Sequence, residues 1–322
     1  MKKKLSVIGK LLYGLAIGDA LGNLNEETAL KILKSSSFLN KPSFKFSWTP
    51  TTGLSLAITD SISTNFSRVN IMHRFADWWV RDFYSMNKIK QSNRFSTEIQ
   101  AIINFESNHE FNLIGVKENV KNDENVLARI LPVAVYEFSR FGTGFINNEE
   151  SMDDIQSVVS LTHDYPLAIM SASMISFLIS QIISKEQLHQ ALENSVAITY
   201  EYYFRRTIFQ TELSNFSRLN MPDISSIKLN ELVQDGSVIH TLENIYWVLS
   251  SSNNLLEALK IAIKSFPKQR QTLISVIYAI YSLINRDNIN EKMINKIDEN
   301  PVVNNSLTLA NKSNKFRLKS LK

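Results

Sequence analysis

Two carboxylates and a run of glycines near the N-terminus are the residues whose types and spacing could support catalysis or close ligand binding. Gly14, Gly18 and Gly22 recur every fourth residue, so they lie near one face of a predicted helix, with Asp19 and Glu26 beside it. Glycine allows another backbone or a flat ligand to approach closely, and a carboxylate at such a place could act as a general base. The same spacing also fits a tightly packed first core helix.

Other catalytic schemes have no support in this sequence. The chain has no cysteine, which excludes disulfides, thiolate chemistry and zinc–thiolate sites. It has no G-x-S-x-G, H-E-x-x-H, Walker or G-x-G-x-x-G motif. Several histidines are scattered without metal-ligand spacing to one another: His73, His109, His189 and His240. Single carboxylates on predicted helices are expected to be solvated or to cap helices: Asp60, Asp77, Asp82 and Glu243.

The composition is that of a globular protein without a membrane or nucleic-acid signature. Of 322 residues, 44% are hydrophobic and 20% charged, and the net charge of +4 comes partly from basic residues at the two ends. No aromatic or glycine motif of a nucleic-acid module accompanies them. The most apolar stretch, 167–183, is interrupted by serines and predicts a buried helix. Since no signal peptide is evident, we expect a cytoplasmic protein that contacts neither membrane nor nucleic acid.

Helical periodicity predicts the elements that must position the acidic residues. Apolar residues at spacings of three and four predict helices beyond the first one, over 71–84, 95–105, 126–138, 151–163, 167–183, 185–204, 237–250, 255–266 and 272–285. Residues 215–226 contain Pro222 and predict a long connection, and no stretch alternates with period two. We therefore predict an all-α fold with one globular helical domain over 1–310. A basic tail over 311–322 is expected to be frayed.

Several segments, in order along nearly the whole chain, resemble the motifs of the ADP-ribosylglycohydrolase family. These all-helical enzymes remove ADP-ribose from modified side chains. The matching segments are 18–22 with Glu26, 48–57 (resembling W-T-D-D-T-x-M-x-L-A), 127–134 (resembling M-R-x-x-P-L-A), 160–168 (resembling S-x-x-T-H-x-H-P-x-A), and 236–247 with 258–272 (resembling the closing T-L-E and G-G-D-T-D-T tracts). The resemblance implies a single all-α domain of that family.

The departures from the family pattern fall on its metal site. In the enzymes, the aspartates of T-D-D and D-T-D hold a pair of metal ions, usually magnesium. Two divalent ions need several carboxylates to offset their charge. The resemblance therefore implies a degenerate metal site here, with no metal and no other cofactor bound. The residues that replace the two tracts are Thr49, Pro50 and Thr51 for T-D-D, and Gln269, Arg270 and Gln271 for D-T-D.

A second departure affects the loop that approaches the phosphates in the family. The glycines of a G-N-G-S loop are replaced within 123–126, where Asp123 and Glu124 would repel a diphosphate. The resemblance therefore implies that this loop no longer receives ADP-ribose as it does in the enzymes.

Three positions of the family's site are retained. By resemblance, Glu26 lies where some members have an acid near the scissile bond, and it could orient a ribose or act as a base. Glu26 could equally begin the next helix, where an acid is favourable. Asp19 and His163 are candidate ligand-binding residues, and His163 could instead cap a helix end.

These observations give a leading functional hypothesis and two alternatives. The leading one is a pseudoenzyme that binds another protein, namely an immunity or antitoxin protein that blocks a cognate toxin such as an ADP-ribosyltransferase. By this hypothesis Asp123 and Glu124, or an exposed basic face, would meet a partner of opposite charge. The first alternative is a divergent hydrolase that uses Glu26 without the usual two metals. The second is a protein that binds ADP-ribose without hydrolysing it.

Overall fold

Helices make up most of the chain in the computed structural model, which describes residues 4–40, 44–86, 95–108, 110–118 and 123–318. No strand forms within those ranges, and one isolated parallel bridge joins Val116 to His163. The all-α prediction is therefore confirmed. The helices are α1 (Val7–Gly22), α2 (Glu26–Lys34), α3 (Pro50–Thr64), α4 (Arg68–Arg81), α5 (Ser96–Asn108), α6 (Val126–Arg129), α7 (Leu131–Phe141), α8 (Glu149–Ser160), α9 (Pro166–Ile183), α10 (Leu188–Phe204), α11 (Thr207–Gln210), α12 (Val238–Ser250), α13 (Leu255–Ser265), α14 (Arg270–Ile284), α15 (Glu291–Ile297) and α16 (Val302–Ser313).

The helix ends differ from the predicted ones for physical reasons. The predicted helix over 126–138 is two helices, α6 and α7, because Pro132 has no N–H to donate and lies in the first turn of α7. The connection over 215–226 contains only short 3₁₀ turns, as its proline and weak periodicity indicate. The predicted helices do not include α15 and α16.

The packed part of the chain extends past the predicted domain boundary at residue 310. Helix α16 continues to Ser313. Beyond it, Phe316 is buried, and its ring lies 6.3 Å from the ring of Tyr136. Residues 311–313 are therefore helical and Phe316 is packed, and positions 319–322 of the expected tail lie outside the described residues.

The glycine face of α1 packs directly on the backbone of α14. A Cβ added at Gly14 would lie 2.7 Å from the Cα of Ala279, and one at Gly18 would lie 2.6 Å from the carbonyl oxygen of Ile274. Gly22 meets the α14 backbone at a similar distance. The group that approaches the glycines closely is therefore a second helix, α14. This packing places the first turn of α14 beside the C-terminal end of α1.

The most apolar helix, α9, is a core helix in this structure. By length and composition α9 could cross a membrane, but 94% of that segment is buried inside the protein. It packs against α7, α8, α10 and α12. The predicted buried helix over 167–183 is thereby confirmed, and it begins at Pro166, which suits the first helical position.

Candidate functional site

Asp19 lies near the end of α1 and fastens α1 to the first turn of α3. Its Oδ2 accepts hydrogen bonds from the backbone N–H of Thr49 (2.8 Å), the backbone N–H of Thr52 (3.1 Å) and the Thr52 hydroxyl (2.8 Å). Its Oδ1 accepts from the Thr49 hydroxyl at 2.8 Å. Burial raises the pKa of the Asp19 carboxyl, and these hydrogen bonds offset part of the rise. Both oxygens of Asp19 are thus engaged as a cap for α3.

Asn125 bridges the two tracts that resemble the family's metal-binding tracts in sequence. Its Oδ1 accepts hydrogen bonds from the hydroxyl of Thr51 in α3 at 3.2 Å and from the hydroxyl of Thr272 in α14 at 3.1 Å. All three side chains are buried. Pro50 occupies the first position of α3 and offers no side-chain ligand atom. An amide and two hydroxyls therefore lie between the two tracts.

The glutamines of the second tract are bonded to residues outside α14. Gln269 is fully buried, and its Oε1 accepts a hydrogen bond of 2.6 Å from Nδ2 of Asn244 in α12. Nε2 of Gln271 donates to Oδ1 of Asn23 at 2.9 Å. These two side chains tie the start of α14 to α12 and to the residue that follows α1.

Arg270 adds a further link between α14 and the end of α1. Its Nε donates to the carbonyl of Gly22 at 3.1 Å, and its Nη2 donates to the carbonyl of Leu24 at 2.5 Å. Carbonyls at a helix C-terminus lack partners within the helix and carry partial negative charge. The positive charge of Arg270 therefore caps the end of α1.

The residues at this site do not fit the metal pair of the family. The side chains of both tracts are neutral except for Arg270, and the neighbouring carboxylate, Asp19, accepts four hydrogen bonds. Magnesium pairs need several anionic oxygen ligands. Across the described part of the chain, no group of three or more His, Cys, Asp or Glu could hold a metal ion.

His163 belongs to a second buried cluster, centred on Arg129 of α6. Nη1 of Arg129 lies 3.1 Å from Oε1 of Glu98, and its Nη2 contacts the Thr162 hydroxyl and lies 3.2 Å from Nδ1 of His163. Burial, followed by the charge of Arg129, lowers the pKa of His163 well below its ordinary value. Because arginine only donates, Nδ1 of a neutral His163 accepts. The histidine is an internal hydrogen-bonding group, a few residues after the end of α8.

The hypothesis that Asp123 and Glu124 contact a partner is wrong, because both are buried. The Asp123 carboxylate accepts a hydrogen bond from the hydroxyl of Tyr165. Burial, together with repulsion from Glu124 and Glu98, raises the pKa of Asp123 to about 8. The hypothesis relies on charge alone, whereas the fold places these acids in its interior.

Glu26 and Asp19 lie in different environments, although they are close in sequence. Glu26 is exposed and is the first residue of α2, following Asn25, whose side chain caps that helix. Asp19 is fully buried. The structure therefore groups Asp19 with the 49–52 tract and leaves Glu26 at the surface.

Asn125 is the site residue that sequence reasoning does not identify. It stands within the altered 123–126 segment, where the sequence shows the lost glycines and two acids. The one feature of the sequence that could have pointed to Asn125 is that it is the single amide side chain in that segment. Its role depends on hydroxyls from two distant helices, which no local pattern reports.

Two single acids differ from the expectation of solvation. Asp60 is buried, accepts a hydrogen bond from the Tyr84 hydroxyl at 3.1 Å and lies 3.7 Å from Nη1 of Arg74. Glu243 is buried 3.8 Å from Nη1 of Arg218. Both expectations are wrong because helical periodicity alone does not distinguish a solvated acid from a buried one that lies near a partly exposed arginine.

The histidines outside this centre are not gathered around a common point in the described chain. His189 lies 3.3 Å from Glu193 in the next turn of α10, and His240 lies 3.0 Å from Asp235. The ring of His73 packs edge-on against Phe105. His109 lies outside the described residues.

The fold and the site together define an all-α protein in which α1, α3 and α14 meet at a closed polar centre. A family model described as ADP-ribosylglycohydrolase matches residues 3–265. The chain belongs to the ADP-ribosylglycohydrolase family, and the absence of a metal-binding group among the described residues fits a degenerate member.

A solved structure supports the same fold. A chain described as "ADP-ribosylglycohydrolase-related protein complex" is similar with a TM-score of 0.61 and 15% identity, over 94% of this chain and 96% of that one. At that identity the likeness shows the fold alone. Comparison with curated protein sequences gives no match.

Proposed function

We propose that this chain is a non-hydrolytic member of its family that acts by binding another protein. The observation that carries the proposal is that the side chains of the two tracts that resemble the family's metal tracts carry no negative charge and are bonded to the protein itself. Thr51, Gln269 and Thr272 are buried, so a substrate would have to displace them to enter. A fold can be retained while the chemistry of its site is lost.

The partner that we propose is a toxin, and the role is that of a cytoplasmic immunity or antitoxin protein. This step is an analogy, because relatives of this fold are paired with toxins that include ADP-ribosyltransferases. The description of the similar solved structure as a protein complex is compatible with it. The partner would meet exposed side chains, which excludes the buried Asp123 and Glu124 from the contact.

Co-expression with the products of neighbouring genes tests the proposal. We expect one neighbour to co-purify in a fixed stoichiometry and to lose its toxicity in the complex. A Glu26→Gln variant should protect equally well, since no hydrolysis is required. Protection that depends on Glu26, or the absence of any stoichiometric partner, would contradict the proposal.

The two alternatives are tested with the purified protein alone. Release of ADP-ribose from a modified protein, with and without Mg²⁺ and abolished by Glu26→Gln, would indicate a divergent hydrolase. Heat released on titration with ADP-ribose, without turnover, would indicate a binder. We expect neither release nor binding up to about millimolar ligand, a concentration corresponding to roughly 4 kcal/mol of binding free energy.

A further inference from the structure

We propose that Asn125 structurally replaces the metal pair, by bridging α3 and α14 through hydrogen bonds that hold the former pocket closed. This inference does not rest on the proposed function, because the bridge would serve any partner or none.

The bridge is a tertiary contact among three distant segments. Thr51 and Thr272 lie 74 and 147 positions from Asn125, and both hydroxyls donate to its Oδ1. Their separations of 3.2 and 3.1 Å are slightly longer than the usual range for hydroxyl donors. One oxygen thus receives a donor from each tract, so this link between the tracts exists only while Asn125 lies between them.

A second contact holds the Asn125 segment against α3. The Ser55 hydroxyl lies 3.4 Å from the carbonyl of Ala128 in α6, and 2.9 Å from the carbonyl of Thr51. Helix α6 also packs against both α3 and α14. The position of Asn125, directly before α6, is therefore fixed by packing as well as by its own hydrogen bonds.

The chemistry of this bridge differs from that of a metal site in one testable way. Clustered carboxylates repel one another when their metal leaves, so metal binding and folding are linked. Hydroxyls and an amide carry no net charge and need no counterion. The folded state of this protein should therefore be equally stable with and without divalent metal.

Thermal unfolding of the full chain tests this consequence. We expect the same Tm in EDTA and in millimolar Mg²⁺ or Mn²⁺. A ligand that binds only the folded state raises Tm with concentration, so a concentration-dependent rise would overturn the proposal.

Amide hydrogen exchange tests the bridge itself, using isosteric variants. Thr51→Val and Thr272→Val each remove one hydroxyl and keep the shape of the side chain. We expect each single variant to speed exchange at the amides of both Gly53 and Leu273, by about fivefold relative to amides in α9, the effect of losing one typical hydrogen bond. The double variant should exceed either single variant only slightly, because either substitution already breaks the link through Asn125.

Thr59→Val is the matched control in the same helix. Thr59 is fully buried, and its hydroxyl donates to the carbonyl of Ser55 within α3 at 2.8 Å. Its loss should leave exchange at Gly53 and Leu273 unchanged relative to α9. If Thr51→Val and Thr272→Val behave like this control, or if each speeds exchange only in its own helix, Asn125 does not bridge the two helices.

Discussion

At the scale of single residues, the buried polar groups at this site connect helices and are bonded to the protein itself. Asp19 accepts four hydrogen bonds from the first turn of α3. Gln269 and Arg270 likewise bond to other helices or their ends. A polar side chain that is bonded in the interior stabilises the fold, and removing one partner leaves the other unsatisfied.

Replacing Asp19 by asparagine should destabilise the protein. Asparagine has one acceptor oxygen, and its NH₂ group would face donors that now bond to Asp19. We expect Asp19→Asn to lower the free energy of unfolding by about 2–4 kcal/mol, measured by urea denaturation. The control is Asp77→Asn, which removes a surface pair with Arg81 and should cost less than about 1 kcal/mol. Equal effects of the two variants would show that Asp19 is not a structural cap.

The buried carboxyl of Asp123 should make stability depend on pH. Its pKa is raised from 3.8 to about 8, so the folded protein retains a proton that the unfolded chain releases. The free energy of unfolding should therefore fall as pH rises from about 4 to about 8, by up to about 1.4 kcal/mol per unit.

Asp123→Asn should reduce this dependence, because the amide carries no titrating proton. Denaturation at several pH values across the interval measures the slope. The Asp77→Asn variant should retain the slope of the parent protein. A slope unchanged by Asp123→Asn would assign the effect to other groups.

At the scale of helices, the contact between α1 and α14 determines the geometry of the site. Three glycines allow the backbones to meet, and the residues that α14 presents at its start then lie beside Asp19 and the 49–52 tract. The glycine positions lie against backbone atoms, which cannot yield as a flexible side chain can. The position of the former metal tracts thus depends on residues that are themselves chemically inert.

Adding a methyl group at this contact should be costly. In Gly18→Ala the new Cβ would lie 2.6 Å from the Ile274 carbonyl oxygen and 2.7 Å from the Cα of Ser275. We expect a loss of about 2 kcal/mol, despite the roughly 1 kcal/mol that alanine gains in helix propensity. Gly144→Ala is the control, since nothing lies within 4 Å of its added Cβ. A Gly18→Ala protein as stable as that control would contradict the close packing.

At the scale of the whole molecule, the folded unit extends beyond the part that the family model matches. The match ends at residue 265, whereas α14 covers the glycine face of α1 and α16 packs on α3. Buried residues continue through Val303, Leu307 and Phe316. The last helices are therefore part of the core.

A chain truncated after residue 265 should fail to fold cooperatively. It would expose the buried face of α1 to water and lose the apolar residues of α14. Circular dichroism during thermal unfolding, with the full chain measured in parallel, would detect the loss of a cooperative transition. A sharp transition in the truncated chain would show that 1–265 is an independent domain.

How much of this protein can be predicted from its sequence depends on how far apart along the chain the interacting residues are. Local signals predict α9 from its apolar run and the close approach at α1 from its glycines. The buried residues of α16 have helical spacing: Val303, Ser306, Leu307 and Ala310. The prediction of a frayed tail beyond residue 310 nevertheless draws attention away from this end of the chain. The resemblance to the family predicts the loss of the metal aspartates at 49–51 and 269–271. The contacts of Asn125 join segments far apart in sequence, so only the fold reveals them.

Buried positions near the site should differ in how well they tolerate substitution, and the glycines of α1 should be the least tolerant. Positions 14, 18 and 22 meet backbone, so a saturation scan should find nearly every replacement there harmful. Positions 51 and 272 meet a side chain, and small residues should be accepted there with modest loss. Successive substitutions can thus change the polar residues between α3 and α14 while the packing of α1 on α14 is retained.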